Sequence, residues 1–226
     1  MWSFLKSKPA NQCVAPIRSE GELFKQILGD KWTHLHPDIQ KRFEKNPRLD
    51  KPLFYEGSLE ILSSSFFGKI LATITKPLIK AALIPYSCID CPVDITVYSK
   101  ENCPFIFKQR IYAIPGKKPI KFTSYMKEST NGDVLEYVGS GLCMKLTVFE
   151  KEGNLHFKSD GYYLDLGFML LAIPAIFTPG KTYLTHINEG PNQFRIRIDI
   201  NHFLFGKLFV QAGVFKQVDN QKQEAA

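Results

Sequence analysis

The chain has 226 residues and a mass of 25.8 kDa, a length that favours one large domain over two small ones. Hydrophobic residues make up 44% of it and charged residues 23%, which excludes a disordered chain or a coiled coil. The formal net charge of +7 favours an anionic partner. Because no long basic run and no nucleic-acid-binding motif accompanies this charge, the sequence disfavours nucleic acid as that partner.

The cysteines and the first residues indicate a reducing compartment. Five cysteines leave one unpaired, and the opening Met1 to Lys6 lacks the apolar core of a secretory signal peptide. We therefore expect a cytoplasmic chain, with the periphery of the inner membrane as an alternative location. Cys88 and Cys91 have the spacing of half a zinc site, but no second pair completes it. The sequence predicts no metal and no cofactor.

The first half of the chain contains the helix signals. Residues 1–18 show no period and indicate a loose N-terminal arm. Ser19 and Glu22 form a capping box that begins an amphipathic helix, and Gly29 ends it. Pro37 occupies the first position of a second, short helix.

A long apolar segment follows, from Phe66 to about Ile84, and Ser63 to Ser65 can cap it. The apolar residues Phe67, Ile70 and Ile74 have helical spacing, and three lysines (Lys69, Lys76 and Lys80) occupy the opposite side. The lysines and the interruption at Pro77 argue against a membrane span. The segment is predicted to be an amphipathic helix.

Beyond Pro85 the apolar period changes to two. Segments 93–98, 120–125 and 194–200 alternate apolar and polar residues, as half-buried strands do. Gly, Pro, Asn and Asp separate the other strand candidates, which are 54–63, 105–114, 134–138, 142–150, 155–164, 183–188 and 204–218. Because no segment of helical length separates consecutive strands after Pro85, the sheet is predicted to be antiparallel. The signal for a hairpin is plainest at Glu152, Gly153 and Asn154.

These elements predict an α+β fold. We expect a strongly curved antiparallel sheet or a partly closed β-barrel, with the N-terminal helices and the amphipathic helix packed on it. Residues 19–218 form the single domain, and residues 219–226 a disordered tail. A curled sheet that does not fill its own interior encloses a cavity, and 18 Phe residues are available to line it.

One stretch, 166–177, is uncharged and almost entirely apolar, yet too short to span a bilayer. It either plugs the open end of the sheet or forms the lip of an apolar pocket or an interfacial membrane contact. In the second case it acts together with the 66–84 helix, and Phe168 and Ile176 contact the ligand.

The densest polar cluster lies on two predicted strands near the C-terminus. His186 and Glu189 lie on the first strand, and Asp199 and His202 lie on or just after the second, together with Arg195 and Arg197. Two His and a carboxylate could serve a metal or general-base enzyme, whereas strict alternation with apolar residues favours a solvated sheet face. The sequence leaves both interpretations open. Tyr162 and Tyr163 must point to opposite faces of their strand, so one of them can enter a pocket.

Several motifs together resemble a known bacterial family. These are GDKWTHLHP from Gly29, FYEG from Phe54, GSGLCM from Gly139, SDGYY from Ser159 and HFLFGKLF from His202. They resemble the family designated domain of unknown function 4166, and the resemblance covers about residues 22–218. The chain departs from the family pattern at Phe203, where the family has proline. The resemblance implies a family described by sequence, some of whose members are fused to oxidoreductase-like or membrane modules, and it supplies no catalytic residues.

The leading functional hypothesis is a non-catalytic protein that binds a lipid-like or other apolar or amphiphilic small molecule, with an anionic membrane surface as a further contact. The predicted ligand-binding residues are Phe67, Ile70, Ile74, Tyr163, Phe168, Ile176, His186, Arg195, Arg197 and His202. One alternative is an enzyme built on His186, Glu189, Asp199 and His202. Another is a protein-interaction domain with a filled core.

Overall fold

A computed structural model describes residues 19–47, 51–79, 83–101, 103, 105–129 and 131–219. The predicted N-terminal arm 1–18 lies outside the described residues, as do Lys80 and all of the predicted tail after residue 219.

The N-terminal helices begin where the sequence predicts. Helix α1 (Glu20–Leu28) starts with a complete capping box, in which Ser19 Oγ accepts from the Glu22 N–H at 3.1 Å and Glu22 Oε2 accepts from the Ser19 N–H at 2.8 Å. A 3-10 helix (Gly29–His34), which was not predicted, continues from it. Helix α2 (Pro37–Glu44) has proline at its first position, as expected.

The rest of the described chain contains eleven strands, one further α-helix and one short 3-10 helix. The strands are β1 (Leu53–Ser64), β2 (Cys91–Ser99), β3 (Ile106–Tyr112), β4 (Ile120–Glu128), β5 (Val134–Gly139), β6 (Leu142–Lys151), β7 (Asn154–Asp165), β8 (Leu170–Ala172), β9 (Lys181–Gly190), β10 (Gln193–His202) and β11 (Gly206–Val218). Helix α3 (Phe66–Ile79) connects β1 to β2, and a short 3-10 helix (Ala175–Phe177) follows β8.

Ten of the strands form a closed antiparallel β-barrel. Each strand pairs with its neighbour in the sequence from β1 to β7, β7 then pairs with β9, and β9, β10 and β11 follow in order. Pairing of β11 with β1 closes the circle, and β8 adds a short strand to the end of β7 that β9 does not reach. The α+β prediction with a curled antiparallel sheet is therefore confirmed, and the closure is complete.

Alternation along the strands separates the barrel interior from its outer face. Tyr55, Leu59, Val93 and Ile95 belong to the main buried cluster. Hairpins join the strands at the predicted places: Glu152 and its neighbouring glycine both have positive φ between β6 and β7.

The two ends of the barrel are covered differently. Helices α1 and α2 cover one end, where Phe24 and Ile39 are completely buried in a cluster with Leu155 and Phe157. Helix α3 contacts β1, β5 and β11 and so crosses the other end. Gly68 allows it to lie directly on β11, because a Cβ there would collide with the Leu208 carbonyl oxygen. The helix is described as far as Ile79, and Leu83 and Ile84, which the prediction included, are not helical.

None of the helices among the described residues is both long and apolar enough to cross a lipid bilayer.

Candidate functional site

The barrel interior contains a cavity of about 320 Å³. Inward-facing side chains of most strands line it, and most of these are apolar, including Phe122, Met144, Leu146, Phe157, Leu184 and Ile198. Sites for small molecules have volumes of roughly 300 to 1,000 Å³ and combine an apolar wall with a few placed polar groups. The cavity has the volume and the lining of a small site of this kind.

Two side chains of opposite charge lie deep in the cavity wall. Arg110 of β3 and Glu136 of β5 are both buried, and both also line a second, smaller cavity beyond them. The Arg110 guanidinium donates to Ser124 Oγ at 3.1 Å and lies over the Phe122 ring, 5.5 Å from its centroid. Among the described residues, Arg110 and Glu136 are the two charged residues that line the main cavity. A bound polar group would find both a cation and a carboxylate at this depth.

Buried phenols add neutral hydrogen-bonding groups to the wall. The Tyr112 hydroxyl donates to Gln211 Oε1 at 3.4 Å, and the Tyr162 hydroxyl is 2.7 Å from Thr182 Oγ1. Burial raises the pKa of Tyr162 to about 12 and also raises that of Tyr112. Both phenols therefore stay protonated at neutral pH and can donate or accept a hydrogen bond.

The end covered by α1 and α2 holds the smaller cavity, of about 100 Å³. Here Lys108 forms an ion pair with Glu20 of α1 at 2.7 Å, and the Arg42 guanidinium of α2 lies 4.4 Å from the Phe194 ring centroid. The His186 ring stacks on Phe194 with 4.6 Å between centroids. Aromatic packing and an ion pair thus hold helices α1 and α2 against this end of the barrel.

The opposite end opens to solvent. The mouth of the main cavity is formed by Leu71 and Thr75 of α3 and by four residues of the stretch after β8 (Ile173, Phe177, Thr178 and Pro179). Phe177 lines the cavity and is nevertheless 73% exposed. A ligand can therefore enter between α3 and this stretch.

The predicted contacts on α3 and on the 166–177 stretch lie at this end but outside the cavity. Phe67, Ile70 and Ile74 are exposed on the outer side of α3, while Leu71 and Thr75 line the cavity in their place. Phe168 and Ile176 are exposed as well, and their neighbours Ile173 and Phe177 enter the lining. The structure brings both segments to the mouth, as the pocket-lip interpretation requires.

Tyr162, and not Tyr163, points into the cavity. A bulge in β7 turns Tyr162 inward and Tyr163 outward. Leu146 of β6 pairs with Ser159 of β7 and Met144 pairs with Tyr162, so β7 has one extra residue between the two pairs. Gly161 has φ +114° there. Tyr163 packs on the outer face with Tyr137 and its neighbours.

The predicted polar cluster is divided between two faces and two ends of the barrel. His186 faces inward opposite Ile196, next to the helices. Arg195 points outward to Glu60 and Glu189, and Arg197 bonds to Asp199 at 2.7 Å. His202 is buried at the mouth end, where its ring stacks on Phe205 at 4.8 Å. The residues do not converge on one site.

Sequence reasoning missed Arg110, Glu136 and Gln211, which line the cavity. In β5 both faces carry large apolar side chains, so alternation cannot assign Glu136 to a face. One sequence signal could have placed Glu136 on the inner face: Val134 and Val138 lie two positions away on either side of it.

The cysteine pair shows no metal-site arrangement. Cys91 is buried in the barrel wall, and its Sγ donates to the Ala113 carbonyl at 3.7 Å. Burial, followed by a hydrogen bond with Cys88, raises the pKa of Cys91. Within the described residues, no three His, Cys, Asp or Glu side chains are grouped so that they could hold a metal ion.

Comparison with known proteins gives one match. No curated protein and no solved structure matches the chain. A family model, described as a domain of unknown function (DUF4166), matches residues 35–215, which include α2, α3 and nearly all of the barrel. This match spans well over half of the 226 residues. The chain belongs to the DUF4166 family.

Proposed function

We propose that this protein is a non-catalytic binding protein for an apolar or amphiphilic small molecule, which occupies the barrel cavity. The observation that carries the proposal is a cavity of about 320 Å³ inside the barrel, with a mostly apolar wall into which the buried Arg110 and Glu136 are set. A barrel that served only to present its outer surface would gain stability by filling its interior, since an empty cavity forfeits packing contacts.

The lining indicates the chemical class of the ligand. Most of the wall is apolar, which favours an alkyl, polyprenyl or ring hydrocarbon body. Arg110 and Glu136 supply a donor and an acceptor at the deep end, and Gln211 adds a further polar group to the wall. A ligand with one polar end would place that end there and leave its apolar body towards the mouth.

An enzyme built on the polar cluster receives no support from the geometry. His186 pairs with Ile196 of β10, which lies six residues, or about 20 Å along a strand, from His202. Asp199 faces away from the interior and is bonded to Arg197. A general base must lie within hydrogen-bond reach of the group that it serves.

Native mass spectrometry of the gently purified protein, followed by organic extraction, tests the proposal directly. A bound apolar compound supports it and identifies the ligand class. A solution titration with cis-parinaric acid, a fluorescent fatty acid, provides the second measurement. If the protein copurifies with nothing and also leaves cis-parinaric acid unbound, the proposal is wrong.

A matched pair of variants locates the binding. Ile198→Trp places an indole inside the cavity, and we expect it to weaken probe binding at least tenfold, because the ligand and the indole compete for the same space. Ile111→Trp makes the same exchange in β3 at a position that does not line the cavity. Equal losses in both variants would place the probe elsewhere.

A further inference from the structure

The exposed apolar side chains of the described residues are concentrated at one end of the barrel. Of seventeen large apolar residues with exposed side chains, fourteen belong to three segments: four to α3, seven to 166–180 and three to 203–207. Phe66 is 72% exposed, Phe168 83% and Phe203 67%. We call these three segments together the apolar rim. Such a concentration is unusual, since apolar side chains on a monomer's surface are normally scattered.

The three segments adjoin one another around the cavity mouth. Phe67 of α3 stacks on Phe205 of the β10–β11 turn, with 4.6 Å between ring centroids. Gly180 packs against the backbone of Asn201 and its neighbour, which joins the second segment to the third. Leu71 and Phe177 line the mouth from α3 and from 166–180. The apolar rim is thus one continuous surface that surrounds the entrance to the cavity.

The charges of the apolar rim all have one sign. Segments 66–79, 166–180 and 203–207 contain three lysines (Lys69, Lys76 and Lys207) and no carboxylate. On α3 the exposed Phe66, Ile70 and Ile74 form one stripe at four-residue spacing, and both lysines of the helix lie beside this stripe. A surface that enters an anionic membrane interface typically has this composition: projecting aromatic and aliphatic side chains flanked by lysines.

We propose that the apolar rim docks on an anionic lipid bilayer, with the cavity mouth against the membrane. Most of its large apolar side chains project into solvent, from α3, from segment 166–180 and from the β10–β11 turn. Docking rests on this surface alone. Exchange of a ligand between bilayer and cavity rests in addition on the function proposed above.

Cosedimentation with vesicles tests the docking. The full chain is mixed with vesicles of phosphatidylcholine alone and with vesicles of equal parts phosphatidylcholine and phosphatidylglycerol. We expect binding to the mixed vesicles, at least tenfold weaker binding to the neutral ones, and loss of binding as salt rises, because the lysines are solvent-exposed. Failure to bind either vesicle, or equal binding to both, would overturn the proposal.

Variants locate the contact. Phe168→Glu and Phe66→Glu should each reduce binding to mixed vesicles at least tenfold, because each places a carboxylate in the interface. Ile89→Glu is the matched control: Ile89 is 76% exposed but lies outside the apolar rim. All three sites are exposed, and circular dichroism melts verify that each variant is folded. A loss in Ile89→Glu as large as in Phe168→Glu would contradict docking through the rim.

Two further measurements distinguish membrane docking from self-association and from ligand binding in the cavity. Sedimentation velocity of the wild type and Phe168→Glu tests for self-association: a dimer that dissociates in the variant, without vesicle binding by the wild type, would assign the rim to a second copy and refute membrane docking. Phe168→Glu should bind cis-parinaric acid in solution as the wild type does, because Phe168 does not line the cavity. A wild type that binds vesicles but no probe would sustain docking and refute the cavity function.

Discussion

His186 should make the stability of the protein depend on pH. Its imidazole is enclosed by aromatic rings, stacked on Phe194 and in edge contact with Phe43 at 5.1 Å. Burial lowers the pKa of His186 well below its usual 6.5, and the neighbouring cations Arg42 and Lys108 lower it further. The folded protein therefore keeps this ring neutral, whereas the unfolded chain protonates it on acidification.

The sign and the size of the effect follow from proton linkage. Above the unfolded value of about 6.5 neither state binds the proton, so stability does not change. As the pH falls below that value the unfolded chain is favoured, with a slope that approaches about 1.4 kcal/mol per pH unit. Between about pH 7.5 and about pH 5.5 the single group removes roughly 1.4 kcal/mol of unfolding free energy. With a urea m-value of about 2 kcal/mol/M, the midpoint falls by about 0.7 M.

Urea titrations of the wild type and His186→Phe at the two pH values measure this loss. Phenylalanine keeps the stacking and removes the buried Nδ1, which lacks a hydrogen-bond partner within the described part of the chain. We expect the variant to lose the part of the pH dependence that His186 causes. A smaller pH dependence should remain, because burial also lowers the pKa of His156. His34→Phe, at an exposed position, serves as control. If His186→Phe and the wild type lost equal stability on acidification, the reasoning would be refuted.

Two more substitutions test other features of the barrel. Tyr137→Phe removes the hydroxyl that donates to Asp165 at 2.5 Å, and this hydrogen bond is the main cause of the lowered pKa of Asp165. An NMR titration of the carboxylates should therefore show the pKa of Asp165 rising towards its ordinary value in the variant. An unchanged pKa would contradict this. Gly68→Ala gains about 1 kcal/mol in helix propensity but forces α3 away from the Leu208 carbonyl, at a cost of roughly 1–3 kcal/mol. A net loss in urea denaturation is expected, and a stabilised variant would show that α3 does not lie on β11 so closely.

Local signals in the sequence predicted the elements well. The capping box at Ser19, the proline at the start of α2 and the hairpin at Glu152 each depend on a few adjacent residues, and the structure confirms all three. The lack of helix-length segments between consecutive strands after Pro85 also predicted an antiparallel sheet. Closure into a complete barrel was not decided, because it depends on the pairing of β1 with β11, strands that are distant in the sequence.

The cavity lining was harder to predict, for two physical reasons. A β-bulge adds one residue and inverts the faces of β7, so Tyr162 enters the cavity where simple alternation from Phe157 selects Tyr163. For α3, periodicity identifies an apolar stripe but cannot say what covers it. The stripe of Phe67, Ile70 and Ile74 faces solvent, and smaller residues such as Gly68 face the barrel because they permit close approach.

The pairing between β1 and β11 also constrains how the protein can be made. Among the described strands, β1 is the first to leave the ribosome and β11 the last, so β1 has one unpaired edge until β11 is made. An unpaired edge is a template for intermolecular pairing. Its register with β2 can form early, whereas the ring closes only when Phe215 reaches Gly57. The edge of β1 is therefore open to pairing with another chain until β11 appears.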